Sequence, residues 1–315
     1  MKNRLWPVYA LVGLGALAFP RVLYPIVAID LVCFALFAVS FDLLFGFVGL
    51  LSFGQAMFWG GSGYVVAIVL THLHVDAAIA VLGGVLYSLI LSLIVGALAV
   101  RRAGIYFAMI TLAIAQIQYF TVFVFGDLTG GENGLPLNGR GTFFGLNIEN
   151  DSVFYYLTLA IAVLAVLFVI RATRSPFGQV LRAMRQNEPR AIALGYRVNR
   201  YKLAVFVIAG SLSGLAGALY VLGNRLGSPE MVDWHTSGAV VIMALLGGSG
   251  TIVGPAIGAG VYQSLDYFVS KTPIGEDTNL VMGVVFALSV LLFRRGIVGQ
   301  YLALTARKNE SSTPP

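Results

Sequence analysis

The side chains best suited to catalysis in this sequence are three histidines, and their positions do not predict an enzyme. His72 and His74 are two residues apart and His235 is far from both, each at the end of an apolar segment. Residues two apart in a helix face different sides, so His72 and His74 would not share a metal or a proton there. No aspartate pair and no serine with a nearby histidine shows catalytic spacing. We therefore expect no catalytic residues, no metal site and no enzyme activity.

A phosphate-binding loop would require the pattern Gly-x-x-x-x-Gly-Lys-Ser/Thr, in which backbone N–H groups hold the phosphates. The sequence does not contain this pattern, and none of its glycine clusters is followed by lysine. The chain cannot hydrolyse ATP by that chemistry alone. Any energy taken from ATP must therefore come from a partner.

Composition indicates a membrane protein. Of the 315 residues, 58% are hydrophobic and 11% are charged, whereas soluble domains carry about 25% charged residues. A spanning helix needs about 20 mostly apolar residues, so about eight to ten such helices fit in the chain and little else does. The net charge of +6 does not indicate nucleic acid, because the basic residues lie between apolar runs. Cys33 is the only cysteine, which excludes a disulfide or a cysteine metal site within one chain.

Ten apolar windows follow one another along the chain. Their approximate bounds are 5–19, 26–45, 55–71, 77–100, 104–124, 153–170, 203–223, 237–247, 255–268 and 278–293. We interpret the first as a retained helix, because residues 19–21 (FPR) are not a small-x-small cleavage site. The predicted fold is an all-α membrane protein: a polytopic bundle of about ten transmembrane helices (about 8–10) with glycine-rich breaks, in one domain over 1–315.

The basic residues predict the orientation of the bundle. If the amino terminus is cytoplasmic and the chain crosses at every window, 16 of the 20 Lys and Arg residues lie on the cytoplasmic side. The exceptions are Arg21, Arg140, Arg225 and Lys271. Cytoplasmic loops carry an excess of Lys and Arg. If one crossing were counted wrongly, half of the chain would be inverted and this excess would disappear. Both termini are therefore predicted to be cytoplasmic.

Two glycine-rich breaks interrupt the apolar pattern, at 46–54 (GFVGLLSFG) and at 247–254 (GGSGTIVG). Non-helical backbone at membrane depth is tolerated where protein or a water-filled cavity surrounds it, and such breaks point to substrate paths in transporters. The alternative is close helix packing through small residues, as in 210–217. The candidate path residues are Ser52, Gln55, Gln116, Gly248, Gly250 and Gly254.

Charged residues inside a membrane are costly and are functional candidates by default. Asp30, Asp42 and Asp266 each lie within about one turn of a window end, which favours snorkelling or helix capping instead. No charged pair lies in mid-membrane, as a proton relay would require. This disfavours an ion-coupled secondary transporter, the main alternative class. An uncharged path suits a zwitterion or a small polar solute.

The longest polar segment, 171–202, carries the start signals of two short helices. Ser175 precedes a proline, Asn187 precedes the pair Glu-Pro, and Gly195 follows as a carboxyl-terminal cap. We expect two angled helices that project into the cytoplasm and dock on a partner. The alternative is a basic loop held against anionic lipid, and a channel would not explain the segment.

Several stretches resemble the branched-chain amino-acid permeases of ABC importers, the LivM-like family. They are residues 41–55 (FDLLFGFVGLLSFGQ), 129–135 (TGGENGL), 187–195 (NEPRAIALG), 198–220 (VNRYKLAVFVIAGSLSGLAGALY) and 246–255 (LGGSGTIVGP). The stretches occur in the expected order, and the resemblance covers about 40–295.

The resemblance implies an importer subunit that moves branched-chain or other hydrophobic amino acids across the cell inner membrane. Urea, short amides or aromatic acids are alternative solutes, since some relatives carry them. The implied partners are ATP-binding subunits that hold ATP and Mg²⁺, a second related permease and an extracytoplasmic solute-binding protein, all in or on the lipid bilayer. Segment 171–202 corresponds to the coupling loop, which assigns Glu188, Arg190, Ala191 and Gly195 to contact with the ATP-binding subunit. The family pattern Glu-Ala-Ala then Gly is loose here, with Pro-Arg in place of the first alanines.

Overall fold

The structure, a computed structural model, describes residues 24–102, 104–270, 281, 283, 284, 287 and 296–300, and these are predominantly α-helical. In chain order the elements are α1 (Pro25–Val48), α2 (Gln55–Leu73), α3 (Ala77–Ala99), α4 (Ile105–Val124), α5 (Gly126–Thr129), a 3-10 turn (Gly131–Asn133), β1 (Leu135–Pro136), β2 (Thr142–Phe143), β3 (Leu146–Asn147), α6 (Asp151–Arg174), α7 (Pro176–Gln186), α8 (Glu188–Ala193), α9 (Val198–Asn224), β4 (Leu226–Gly227), a second 3-10 turn (Pro229–Met231), α10 (Trp234–Gly247) and α11 (Val253–Ser270). The short strands pair antiparallel, β1 with β4 and β2 with β3.

All predicted windows between residues 26 and 268 coincide with helices. Among the described residues, 6 helices (α1, α2, α3, α4, α6 and α9) are long and apolar enough to cross a membrane, as a multi-pass all-α membrane protein requires. Helix α10 has 14 residues, which at about 1.5 Å each is shorter than the ~30 Å hydrocarbon core. The first window, 5–19, and most of the tenth, 278–293, lie outside the described residues. The count of about ten spans therefore stays a prediction.

Helices α1, α2 and α9 form the centre of the bundle. In their most apolar stretches 72%, 61% and 72% of the residues are buried, against 39% in α3, 28% in α4 and 33% in α6. The outer helices expose large apolar side chains, among them Leu82, Leu93, Met109 and Leu167. Such outward apolar faces are expected where lipid is the solvent.

The small-residue run 210–217 brings α9 close to α2 and α3. A Cβ on Gly210 would lie 2.6 Å from the Cβ of Ser92 on α3. One on Gly217 would collide with the backbone carbonyl of Trp59 on α2. Close packing, the alternative that the sequence offered, therefore explains these glycines.

Arg140 ties the loop 125–150 to the ends of two long helices. Its side chain is 1% exposed, and it pairs with Asp151 at the start of α6 at 2.6 Å. Its Nε and Nη2 donate to the carbonyls of Leu222 and Gly223, both at 2.8 Å. These are among the last carbonyls of α9, which lack helical partners. Arg140 is one of the four basic residues that the predicted topology places outside the cytoplasm, and these contacts compensate its charge.

Candidate translocation and coupling site

The polar segment 171–202 folds as two short helices, as its sequence predicts, with proline in the first turn of both α7 and α8. The side chain of Asn187 caps α8 by accepting a hydrogen bond from the N–H of Arg190 at 3.0 Å. Ser175 occupies the amino-terminal cap position of α7, as predicted, but its side chain makes no capping hydrogen bond. Its hydroxyl instead donates to the carbonyl of Ala172 at 2.7 Å, which satisfies a free carbonyl at the end of α6.

Gly195 ends the second helix of this segment. Its φ of +87° is in the left-handed region, which glycine adopts without steric cost. Its N–H donates to the carbonyl of Ile192 at 2.9 Å, and the N–H of Tyr196 donates to that of Ala191 at 3.2 Å. This turn leaves Ile192, Leu194 and Tyr196 exposed by 56%, 70% and 41%. We call these three side chains the apolar tip.

The predicted coupling residues differ in how accessible they are. Glu188 pairs with Nζ of Lys202 at 2.6 Å, which ties α8 to the first turns of α9. Arg190 and Gly195 are exposed. Ala191 is 2% exposed, so its side chain packs against the protein's own interior and is closed to a partner.

Arg185 joins α7 to the first glycine-rich break. Its Nη1 donates a hydrogen bond to the carbonyl oxygen of Gly46, in the last turn of α1. A cation is favoured at this end by the helix dipole and by the unpaired carbonyls. The guanidinium of Arg182, one turn earlier on α7, lies over the ring of Phe47 at 5.4 Å. The predicted coupling segment is therefore in direct contact with the end of α1.

Asp42 joins α1 to the second glycine-rich break. Its carboxylate accepts from the N–H of Gly250, at 2.8 Å to Oδ1 and 3.1 Å to Oδ2. A Cβ on Gly46, one turn further along α1, would lie 2.5 Å from the Gly250 nitrogen. The expectation that Asp42 snorkels or caps a helix end is wrong, because its side chain is 1% exposed and bonds to the other break. The two breaks therefore contact each other at one end of the bundle, and Arg185 contacts them there. We call this meeting point the junction.

Of the predicted path glycines in the second break, Gly248 and Gly250 lie in the turn between α10 and α11, and Gly254 lies in the first turn of α11. Gly248 and Gly250 have φ of +110° and +82°. The N–H of Gly254 donates to the carbonyl of Thr251 at 3.0 Å. A Cβ on Gly254 would meet the carbonyl of Gly248, so this turn depends on glycine.

The first break turns back into the bundle, and α2 begins in the interior. The N–H of Phe53 bonds to the hydroxyl of Thr111 on α4 at 3.3 Å, and that of Ala56 to the hydroxyl of Ser237 on α10 at 2.9 Å. Hydroxyls from other helices therefore satisfy donors that lack a helical partner at this depth. Ser237 was not among the residues that the sequence singled out, because one serine in an apolar window is a weak signal.

Gln55, the first residue of α2, is the polar centre of the bundle. Its Oε1 accepts from the Ser213 hydroxyl at 2.9 Å, and Ser213 bonds to Ser40 at 2.7 Å. Ser213 and Ser40 lie near the middles of α9 and α1, so Gln55 lies at mid-depth. Ser52, the neighbouring path candidate, is also fully buried and accepts from the N–H of Gly54 at 3.3 Å. Within the described residues, Nε2 of Gln55 has no hydrogen-bond partner.

The two glutamines of α4 have different surroundings. Gln118 donates from Nε2 to the carbonyl of Met57 at 2.8 Å, in the first turn of α2. Gln116, the residue chosen from the sequence, is half-buried on the same helix. Residues two apart in a helix face different sides, and that spacing does not say which of the two contacts α2.

A cavity of ≈ 520 Å³ lies at the end of the bundle opposite the junction. Its lining includes Tyr119, Phe123, Glu132, Tyr220, Asn224 and Glu230. Tyr220 packs on Trp59 with ring centroids 5.0 Å apart, and Trp59 packs on Phe37 at 4.6 Å. Trp59 follows Gln55 by one turn of α2. Aromatic rings therefore separate the cavity from Gln55 in this structure.

Comparison with known proteins finds permease components of transport systems. The profile of the family described as "Branched-chain amino acid transport system / permease component" matches residues 25–292. The chain is 26% identical over 241 residues to the high-affinity branched-chain amino acid transport system permease protein LivM of Salmonella typhimurium, covering 69% of this chain and 57% of that protein. It is 32% identical over 193 residues to the ribose import permease protein RbsC of Bacillus subtilis, covering 58% and 59%.

A third relative is the xylose transport system permease protein XylH of Escherichia coli, 34% identical over 142 residues, 42% of this chain and 35% of that protein. The chain thus spans less than two thirds of the length of these relatives. No solved structure matches the chain.

Proposed function

The chain belongs to the family of permease components of branched-chain amino acid transport systems, and on that premise we propose that it is the transmembrane subunit of an ABC importer for branched-chain or other hydrophobic amino acids. The proposed host membrane is the cell inner membrane, with both termini cytoplasmic. The basic residues support this orientation, because the segment 171–202, which holds eight of the 20 Lys and Arg, lies at one end.

The junction is the observation that carries the proposal. A transporter driven by a separate ATPase needs a surface that receives movement and a connection from that surface to the path. The apolar tip supplies an exposed apolar surface beyond the bundle. Arg185 and Asp42 connect the same segment to both glycine-rich breaks. The first break leads directly to Gln55 at mid-depth.

The proposed partners follow because the transport path and the ATPase that drives it are on separate subunits. ATP-binding subunits, which bind ATP and Mg²⁺, would dock on the apolar tip and on Glu188, Arg190 and Gly195. Ala191 would act indirectly by seating α8 on the bundle, since its side chain is buried. A second related permease would complete the pore, and a solute-binding protein would deliver the solute at the end that holds the cavity.

Amino acids are the proposed solutes because the family description and LivM name them. Ribose and xylose are named for RbsC and XylH, so a sugar is the second candidate. Urea, short amides and aromatic acids remain further alternatives within the family.

Purification from the native host tests the docking half of the proposal. Tagged protein should bring down an ATP-binding subunit, and Leu194→Asp should abolish this association by placing a charge on the apolar tip. Glu188→Gln and Gly195→Val should weaken it. Leu146→Asp is the matched control, because Leu146 is 61% exposed at the opposite end. Equal recovery with Leu194→Asp and Leu146→Asp would contradict the docking surface.

A further inference from the structure

Helix α4 is the least buried of the six long apolar helices in the described part of the chain. Only 28% of the residues in its most apolar stretch are buried. Two side-chain hydrogen bonds, from the N–H of Phe53 to Thr111 and from Gln118 to the carbonyl of Met57, join α4 to the first break and to α2. The side of α4 away from these bonds is exposed. Its exposed residues, which we call the α4 face, are Ile105, Tyr106, Met109, Ala113, Ile117, Phe120, Thr121 and Val124.

The residues of the α4 face follow the spacing of a helix–helix contact. Tyr106, Ala113 and Phe120 are seven residues apart, and Ile117 and Val124 are also seven apart. Such a repeat keeps one line of side chains facing a partner helix. Ala113 lies near the middle of the helix, where a small residue lets two helices in a membrane approach each other closely. The α4 face therefore has both the spacing and the profile that a second helix requires.

The exposed side of α3 has a different composition. Between residues 79 and 98 its exposed side chains are leucine and isoleucine, with Ala97 as the exception, and lipid tails require no more than such an apolar surface. The α4 face includes an alanine, a threonine and a methionine. Small residues and hydroxyl groups are enriched where helices contact each other inside a membrane. Of these two exposed helices, α4 is therefore the one suited to a protein neighbour.

The amide of Gln116 lies at the edge of the α4 face. The residue is half-buried near the middle of α4, three residues after Ala113 and four before Phe120. Its side chain makes no hydrogen bond to any described residue. An amide without a partner in hydrocarbon is costly, whereas an amide that bonds to a neighbouring helix in a membrane contributes about 0.6–2 kcal/mol. Gln116 therefore indicates that a polar group of another chain lies against this part of α4.

The same edge of α4 borders the cavity at the outer end of the bundle. Gln116, Tyr119 and Phe123 are spaced by three and four residues, so they share one side of the helix. Tyr119 and Phe123 line the cavity of ≈ 520 Å³. A helix packed on the α4 face would therefore lie beside this cavity and add to its wall.

We propose that the α4 face is the surface on which the second permease packs, with the amide of Gln116 bonded to a polar side chain of that subunit. The inference rests on the proposed function and gives its second permease a place. Two related chains with the same orientation in a membrane pair most commonly about a two-fold axis, and such a contact uses the same surface on both. The partner helix is therefore the one equivalent to α4, parallel to it. The cavity then lies beside the contact between the two subunits.

Photo-crosslinking in the purified importer complex, followed by mass spectrometry, tests the contact. The photoreactive residue p-benzoylphenylalanine replaces Phe120 on α4 or, as the control, Leu86 on α3, which are 61% and 57% exposed. We expect the probe at Phe120 to attach to a spanning helix of the second permease and the probe at Leu86 to attach to lipid alone. Ala113→Trp should lower recovery of the second permease with the tagged chain at least about tenfold, because the ring prevents close approach. Ala97→Trp, at the exposed alanine of α3, should leave recovery unchanged.

Attachment of the Phe120 probe only to lipid, or only to another segment of the same chain, would overturn the contact. Equal recovery of the second permease with Ala113→Trp and Ala97→Trp would also overturn it. If the Phe120 probe attaches to the second permease but the complex transports nothing with ATP, the contact stands and the proposed function fails. If the complex transports solute with ATP but the Phe120 probe attaches only to lipid, the proposed function stands and the contact fails.

Discussion

Arg185 of α7 donates a hydrogen bond to the carbonyl oxygen of Gly46 in the last turn of α1. The two residues are 139 positions apart in the sequence. Because Asp42 of the same helix holds the N–H of Gly250, one hydrogen-bonded connection runs from α7 through the end of α1 to the second break. A displacement of α7 would therefore act on both breaks together.

Arg185→Gln should uncouple transport from ATP hydrolysis. The variant loses a charge-assisted hydrogen bond, of about 1.5–3 kcal/mol, and the contact between α7 and α1. In reconstituted complexes we expect solute uptake per ATP to fall about tenfold, while the ATP-binding subunit stays bound. Arg174→Gln, which changes another exposed arginine, the last residue of α6, should keep the wild-type ratio. A wild-type ratio in Arg185→Gln would rule out this connection.

Asp42→Leu should loosen the second break. It leaves the N–H of Gly250, a half-buried residue, without its acceptor, at a cost of up to about 1–3 kcal/mol. Hydrogen exchange in 247–252 should accelerate by at least about tenfold. Asp42→Asn keeps a carbonyl oxygen for Gly250 and should exchange nearly as slowly as the wild type. Equal exchange in all three proteins would mean that this bond does not hold the break.

Gly46→Ala should destabilise the protein, although alanine is the better helix former. Its Cβ would lie 2.5 Å from the Gly250 nitrogen and against Asp42, and overpacking of this kind costs about 1–3 kcal/mol. Gly238→Ala, on α10, is the control because a Cβ there meets nothing within 4 Å. Thermal unfolding in detergent should separate the two variants. Equal midpoints would contradict the close contact of the breaks.

Acid should lower the stability of the loop 125–150, which Arg140 anchors. Hydrogen bonds from the N–H groups of Gly141 and Arg140, with the charge of Arg225, hold the pKa of Glu149 below its ordinary value of 4.5. A lowered folded-state pKa gives stability that is present above pH 4.5 and is lost as the pH falls through the folded-state value. Proteolysis of 125–150 should therefore accelerate below pH 4.5, and less so in Glu149→Gln. The same acid dependence in both proteins would exclude Glu149 as its source.

The sequence predicted features whose physical cause is local. Proline in the first turns of α7 and α8, the Asn187 cap and the left-handed Gly195 lie within a few residues of the helix ends they determine. The bond from Gly250 to Asp42 spans 208 positions, so no local pattern predicts it. Proximity to a window end predicted that Asp42 snorkels or caps a helix, whereas tertiary packing buries it.

The polar contacts around Gln55 were predicted only in part, because they too join residues that are far apart in the sequence. Ser52 and Gln55 were identified because one lies in a glycine-rich break and the other directly follows it. Their partners Ser40, Ser213 and Ser237 are serines in apolar helices, and only the packing of α1, α9 and α10 shows that they meet α2.

Solute uptake by liposomes that contain the permease with its second permease and ATP-binding subunits tests the central claim most directly. With solute-binding protein outside and ATP inside, radiolabelled L-leucine should accumulate against its gradient. It should not accumulate when ATP is replaced by a non-hydrolysable analogue or when the ATP-binding subunits are omitted. Accumulation by the permease without ATP, driven by an imposed ion gradient, would contradict the account and identify a secondary transporter.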